Sequence, residues 1–324
     1  MSGKKVLMFG WEYPPHHSGG LGVACKGLAH ALMDNGVHVC FVLPKRVSLD
    51  ESRVSIKFAD TYSVAPVANI SVHIETLARE LQSPYITSVE YEKKLATFIK
   101  YGGKIIPRTL LEQVDHYGVM TKEMFKNGEI EDFDVIHAHD WLCYPAGIVA
   151  KEMSGKPFIV HVHATEFDRC GGNSVNQQVY DRERRGMHAA DHVIAVSELT
   201  RKIIIDKYGV DPTKVSVVHN GNSDAPKNPK SRFKDLYKLR QNGHKTVLFA
   251  GRITIQKGVD YFIHAAKKVL DYEKNVAFIV AGSGDMENQI KGLAHHLGIY
   301  DKFVFTGYYK LDEQSDLFAA ADVV

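Results

Sequence analysis

No stretch of this 324-residue chain is apolar for the roughly 20 residues that a bilayer-spanning helix needs. Membrane association is therefore not expected. Neither sign of charge is in excess: 40 Lys and Arg stand against 38 Asp and Glu, a formal net charge of +2. A nucleic-acid binder normally shows its basic residues as a bulk excess or a clustered stripe, so no nucleic-acid partner is expected. Cysteine is scarce, and Cys25, Cys40, Cys143 and Cys170 are far apart with no CxxC pair. Reduced cytosolic thiols are the simplest explanation. The N-terminal Met-Ser-Gly-Lys-Lys leads into a short apolar stretch, without the longer apolar segment and cleavage site of a secretory signal. A cytoplasmic location follows as the expectation. Also missing are a GxGxxG loop and a Walker loop with its Gly-Lys-Ser/Thr ending.

What is present is a long chain with 44% hydrophobic residues, enough for two cores. "KKVLMF" reads as a buried strand. In "GGLGVACKGLAHALMDNG", Leu21, Ala24, Cys25, Leu28, Ala31 and Leu32 recur at helical spacing, and Gly36 stands where a C′ glycine would end the helix. "VHVCFVL" is a second strand, and the three together make a βαβ unit with a parallel sheet. Gly19, Gly20 and Gly22 then fall between the carboxyl end of the first strand and the mouth of the first helix. Unpaired N–H groups and the helix dipole favour an anion there, and glycine lets the backbone come close to it. An ordinary tight turn accounts for the same glycines.

The pattern is irregular from about residue 44 to 131, and this stretch is expected to be an insertion with extended segments and two helices. Alternation returns with strand "DFDVIHAHD", helix "WLCYPAGIVAKEMSG", strand "KPFIVHVHATEF", strand "DHVIAVS", helix "ELTRKIIIDKYG" and strand "KVSVVHNG". Residues 1–222 form the expected first Rossmann-like domain, and the polar, proline-containing residues 223–244 a linker. Residues 245–324 form a partial second domain of the same kind with three βα units, whose final "ADVV" resembles the start of a fourth strand. The expected fold class is α/β, two doubly wound domains, the second incomplete.

Several polar residues fall at predicted strand ends on one edge: Glu12, Asp140, His163 and Asn220 in the first domain, Arg252 and Lys257 of "GRITIQKG" in the second. Two cations beside a helix N-terminus suit a diphosphate; a solvated charge pair is the bland alternative. Gly282 of "AGSGD" joins the nucleotide-binding candidates as a further glycine turn. With 17 histidines in the chain, His163 alone is equally well a hydrogen-bonded core residue. His137 and His139 share a strand face beside Asp140, but no further ligand stands at metal-site spacing, and no metal is expected.

In order along the chain stand "WEYPPHHSGGLG", "VIHAHDW", "IVHVHATEFDR", "VSELT", "VVHNG" and "FAGRITIQKG". Together they resemble the family-four retaining glycosyltransferases of the GT-B fold, the group that includes bacterial and archaeal glycogen and starch synthases. The resemblance implies two Rossmann-like domains facing a cleft and transfer of a hexose, glucose above all, from a nucleotide-diphosphate sugar to a glucan. It implies no cofactor and no metal. By the same resemblance Gly19 and Gly20 approach the donor diphosphate, and Arg252 and Lys257 hold it and stabilise the leaving group. His163 contacts the donor sugar, Glu12 and Asp140 line the donor and acceptor cleft, and the Asn220-Gly221 turn leads out of the first domain. Arg252, Lys257 and His163 are thus the expected catalytic set.

Two departures qualify these implications. The family's Lys-Thr-Gly-Gly aligns with His17-Ser18-Gly19-Gly20, so the resemblance does not carry ADP-glucose over as donor. The family's pair of second-domain glutamates would lie past Val324, and the chain as it stands is expected to be a truncated, inactive form of an active parent. Three other functions share parts of this pattern. A transferase building surface polysaccharide or glycolipid shares the fold. An NAD-linked oxidoreductase would need GxGxxG after the first strand and an acidic residue near the end of the second, where Lys45 and Arg46 stand. A non-enzymatic nucleotide-sugar-binding remnant fits the truncation.

Overall fold

The computed structural model describes residues 3–14, 19–49, 51–60, 109–172, 174–221 and 232–324. Residues 15–18, most of the expected insertion and the first part of the expected linker lie outside this set. Contacts divide the chain into two units, residues 1–168 with 172–221, and residues 169–171 with 222–324.

The first unit is built on seven parallel strands: β1 (Lys5–Phe9), β2 (His38–Leu43), β3 (Ser55–Phe58), β4 (Val135–His139), β5 (Phe158–Val162), β6 (His192–Ala195) and β7 (Val215–Val217). Their spatial order is β3-β2-β1-β4-β5-β6-β7, the doubly wound arrangement. Central strands of such a sheet are covered on both faces and read as continuous apolar runs; Val6, Leu7, Met8 and Phe9 are all buried. Alternate residues divide between two cores. Leu7, Phe9, Ile136, Ala138, Phe158 and Val160 join one core, and Val6, Met8, Val39 and Phe41 join another with Leu21, Cys25 and Ala29 of α1 (Gly20–Asp34).

The first of these cores is completed by α2 (Leu110–Lys126), α3 (Tyr144–Ser154), α5 (Gln177–Ala189) and α6 (Glu198–Tyr208). Between β5 and α5 lies the short α4 (Glu166–Arg169). Helix α2 starts on a capping box, Thr109 with Glu112, and buries Val114, Tyr117 and Met124. The Tyr117 hydroxyl donates to the Val42 carbonyl at 2.8 Å, tying α2 to β2. Edge strand β3 and helix α2 both fall inside the stretch expected to be an insertion and belong to the body of this unit.

Two further differences from expectation have local causes. The strand expected to reach Phe167 ends at Val162, and Glu166–Arg169 is helical. The polar segment before β6 is helix α5: its apolar residues are few, yet Val179, Gly186 and Met187 are spaced to meet the core. Tight contacts fix α3 in place. A Cβ on Gly147 of α3 would sit 2.3 Å from the Phe158 ring, and one on Gly186 would sit 2.0 Å from the Tyr144 ring.

The second unit holds the parallel strands β8 (Lys245–Ala250), β9 (Val276–Ala281) and β10 (Phe303–Gly307) in the order β10-β9-β8. One face is covered by α8 (Val259–Tyr272) and α9 (Glu287–His296), the other by α7 (Tyr237–Gln241) and α10 (Gln314–Ala319) with the preceding turn Arg232–Leu236. Phe233 and Leu236, in the stretch expected to be a polar linker, are buried against Leu248 and Ile279. Beyond α10, Val323 bridges Val247 in parallel on the free side of β8, the position of a fourth strand. Among the described residues no helix is long and apolar enough to cross a membrane.

Two glycine substitutions separate packing from propensity. Gly186→Ala is expected to destabilise the first unit by about 1–3 kcal/mol through overpacking against Tyr144. Gly27→Ala, at an exposed site of α1 with nothing within 4 Å of the added carbon, is expected to stabilise it by up to about 1 kcal/mol. Urea denaturation of both variants checks the pair; the same sign for both contradicts the packing.

Candidate active site

Parallel strands bring their carboxyl ends to one edge of a sheet, and ligands bind where the strand order reverses. In the first unit that point lies between β1 and β4. The loop after β1 carries Glu12, and the turn after β4 carries Asp140. Glu12 is 5% exposed, and its Oε1 accepts the Gly22 N–H at 2.9 Å. Gly22 is in the first turn of α1, whose N-cap Gly19 offers no side-chain cap. The anion at this helix end is therefore the protein's own carboxylate. A Cβ on Gly22 would meet the Glu12 side chain at 3.0 Å, so the glycine makes room for that carboxylate. At Gly20 the added carbon would point into open space.

The next residue, Tyr13, anchors the same loop. Its hydroxyl donates to Glu51 Oε2 at 2.9 Å, and His30 and Lys26 of α1 meet the same oxygen at 3.0 and 3.4 Å. Burial opposes ionisation of Glu51, but donation from the Arg53 N–H, His30, Tyr13 and the Val54 N–H outweighs it and holds the carboxyl down to about 2.

Asp140 ends β4 in a left-handed conformation, φ 58°, uncommon for a residue with a side chain. It is buried, and its Oδ1 accepts the His163 N–H at 2.7 Å and the Ala164 N–H at 3.4 Å. Its own N–H donates to the His161 carbonyl at 2.9 Å. Two sequence candidates, Asp140 and His163, are thus brought together, and the first fixes the backbone of the second.

Strand register then creates a feature that sequence spacing alone does not reveal. His139 pairs with His161 across β4 and β5, and His137 and His163 lie two residues away on the same face, in a two-by-two block. The ring centroids are 4.3–5.5 Å apart, and His139 Nδ1 lies 3.0 Å from His163 Nε2. Burial pushes His137 and His161 down to about 3 and His163 to about 4, and takes His139 well below its ordinary value. All four rings are neutral at pH 7. His137 Nε2, His139 Nε2 and both nitrogens of His161 are buried without a hydrogen-bond partner, a condition that costs about 1–3 kcal/mol per group. Cys25 of α1 reaches the same block beside His139 and His163.

Asn220 stands apart. It is exposed beyond β7, three strands from β4.

In the second unit the corresponding point is β8, flanked by β9 and the Val323 bridge. The β8–α8 connection carries Arg252 and Lys257 and enters the 14-residue helix α8. Arg252 is half-buried and donates to Gln256 Oε1 at 3.1 Å; Lys257 is exposed in the turn Ile255–Lys257. Asp260 in the first turn of α8 opposes them with one negative charge.

The β9–α9 loop is clamped onto this connection. The Gly251 N–H donates to Ala281 O, Ile253 N–H to Ser283 O and Met286 N–H to Ile253 O, at 2.9–3.1 Å. Gly282 has φ 143°, and a Cβ there would lie 1.8 Å from the Gly251 oxygen; one on Gly284 would lie 2.2 Å from the Ile253 oxygen. Gly282 thus has a packing reason for being glycine, as the support on which Arg252 rests. Gly284 was not among the sequence candidates; Gly22 was noted with Gly19 and Gly20 as an anion-binding turn, and His137 and His139 as a strand-face pair, without their joining to His161 and His163. The repeat of H-x-H at two successive strand ends was the signal for the block.

Residues 5–214 match the family model described as starch synthase catalytic domain, and residues 232–324 the one described as glycosyl transferases group 1. An uncharacterized glycosyltransferase of Methanocaldococcus jannaschii is 30% identical, with 99% of this chain and 73% of the relative covered. A glycogen synthase of Mycobacterium tuberculosis is 24% identical, with 98% and 71% covered. This chain belongs to the glycosyltransferases, in the family of the starch synthase catalytic domain. Among solved structures, Anabaena HepE in complex with UDP and glucose is similar with a TM-score of 0.62 at 17% identity, over 99% of this chain and 73% of that one. The catalytic domain of starch synthase IV from Arabidopsis thaliana bound to ADP and acarbose gives 0.61 at 15% identity, over 99% and 77%. The two parallel-sheet units are those of the GT-B fold.

Two outcomes test this geometry. Asp140→Ala, which leaves the His163 N–H without its acceptor and keeps a left-handed residue, is expected to cost about 1–3 kcal/mol in urea denaturation. Asp140→Asn, which retains an acceptor and tolerates φ > 0, is expected to cost clearly less. For Glu51 the folded state binds its proton less readily than the unfolded chain, so its contribution is complete above pH 4.5 and lost as pH falls towards 2. Glu51→Gln is therefore expected to flatten the stability curve within that window, measured as urea midpoints from pH 6 to pH 2.5; an unchanged slope contradicts the assignment.

Proposed function

We propose that this chain carries the donor and acceptor machinery of a retaining hexosyltransferase, moving a hexose, in the first instance glucose, from a nucleotide-diphosphate sugar to a glucan. The observation that carries the proposal is the Gly251–Gly258 connection: two cations at the order-reversal edge of β8, leading into the N-terminus of α8, in a member of the starch synthase catalytic-domain family. Support comes from the glycogen synthase relative and from the two similar structures, one holding UDP and glucose and the other ADP and acarbose.

The chemistry assigns each group a task. As the anomeric carbon–oxygen bond to the diphosphate breaks, negative charge grows on the phosphate oxygens. Arg252, steadied by Gln256, and Lys257 stabilise that charge together with the first N–H groups of α8. Two cations outweigh the single Asp260 carboxylate, and no metal ion is required for this role. The acceptor hydroxyl attacks from the face the leaving group departs, so configuration is retained, and its proton passes to the departing phosphate oxygen. His163 lies against the donor sugar. Because burial keeps its ring neutral, it places no positive charge beside a developing oxocarbenium ion. Asp140 and Glu12 line the sugar and acceptor side, Gly19 and Gly20 leave room for the donor, and Gly282 supports the Arg252 connection.

Incubation of the active parent with UDP-, ADP- and GDP-hexoses, with soluble glucan and lipid acceptors compared, is expected to show transfer to glucan with the α configuration retained. Transfer confined to lipid favours a surface-glycan role. In that parent, Arg252→Ala and Lys257→Ala are each expected to lower kcat by about two to three orders of magnitude, the scale of losing one transition-state charge donor, with a smaller effect on KM. Near-normal kcat in either variant removes that residue from the diphosphate role.

A further inference from the structure

The proposed transfer reaction uses one histidine of the block, His163, and leaves the other three without a task. We infer that His137, His139 and His161 form a binding site for a borderline-soft divalent cation of the zinc class, held by three imidazole nitrogens on the face of the sheet that α1 covers. One ligand atom from each ring lies within 4.8 Å of the other two. A tetrahedral zinc site with Zn–N near 2.0–2.1 Å sets its ligand atoms about 3.3 Å apart. Closure is thus at most about 1.5 Å, within reach of ring rotation, with the strands held in register.

Each of these three rings has a nitrogen left over. His137 Nε2, His139 Nε2 and both nitrogens of His161 are buried and make no hydrogen bond. A cation bound by one such lone pair from each ring removes that defect at three of the four nitrogens. The fourth histidine sets the tautomer. When His139 Nδ1–H donates to His163 Nε2 across 3.0 Å, the lone pair of His139 falls on Nε2, the buried nitrogen without a hydrogen-bond partner. Metal-bound histidines are oriented by outer partners in this way.

Three neutral nitrogens select zinc, cobalt, nickel or copper over magnesium or calcium, which take oxygen ligands. A second set, Cys25 with His139 and His163, shares His139. In that set His163 Nε2 is already engaged with His139 Nδ1 at 3.0 Å, whereas the tri-histidine set holds four buried nitrogens without a hydrogen-bond partner. The tri-histidine set is therefore the one assigned. It does not depend on the transferase reaction, since His137 and His161 have no part in it.

The test uses the full chain, dialysed against a chelator and titrated with Co(II). One equivalent is expected to bind, with the visible d–d bands of a four-coordinate nitrogen-rich site, without a near-ultraviolet thiolate-to-cobalt band, and displaceable by Zn(II). His137→Gln and His161→Gln are each expected to weaken binding at least about tenfold. His264→Gln, at an exposed position of α8, is expected to leave it unchanged. Three results overturn the inference: no binding by the folded protein under excess Co(II), a thiolate charge-transfer band, or unaltered binding by folded His137 and His161 variants. Should those variants fail to fold, the spectrum of the unaltered chain decides between the tri-histidine set, the cysteine set and no site.

Discussion

Every candidate site residue around Glu12, Asp140 and His163 depends on in-register parallel pairing of β1, β4 and β5. Each crossover returns the chain to the same end of the sheet, so groups more than a hundred residues apart emerge at one edge. Register decides which side chains face which core. A slip of one residue in β4 would send His137 and His139 to the face now filled by Ile136 and Ala138, and would dissolve both the histidine block and the apolar core beneath α3. The fold and the site therefore share one determinant.

The two units solve the problem of holding a loop at a sheet edge differently. In the first, side chains do it: Asp140 and Glu12 each give a carboxylate oxygen to the N–H groups of a neighbouring segment, and Asp140 accepts a left-handed backbone to do so. Strain of that kind persists only where surrounding contacts over-determine it, and it concentrates at functional positions. In the second, the backbone does it: Gly282 and Gly284 allow two connections to lie directly against one another. The charged residues are thereby left to the surface, with Lys257 exposed and Arg252 half-buried.

Much of this was legible in the amino-acid sequence. Strongly apolar strands such as "KVLMF" and "VAFIVA" and the six family motifs led to two parallel α/β units and to the family, because their signals are local. Helix α5 escaped notice because its exposed face is dominated by Gln, Asp, Glu and Arg and only a narrow apolar stripe meets the core. Phe233 and Leu236 were hidden in a polar segment, and only the tertiary structure shows them buried. At the site, Asp140 and His163 were identifiable as strand-end residues, whereas the joining of His139 to His161 is a property of register, invisible until β4 and β5 are paired. Gly282 was noticed for its residue type, and its reason, the oxygen of Gly251 beneath it, lies about thirty residues away in sequence.

The interlocking of the β8–α8 and β9–α9 connections bears on the energetics of ligand capture. Two segments joined by three backbone hydrogen bonds and by glycine-to-carbonyl contact cannot rearrange one at a time. The conformational entropy of the Arg252 segment is surrendered when the chain folds, not when a ligand arrives. An anion meeting this edge then loses none of its affinity to ordering that backbone. The entropic cost of binding is thereby shifted from backbone to side chains, with Lys257 the exposed one of the pair.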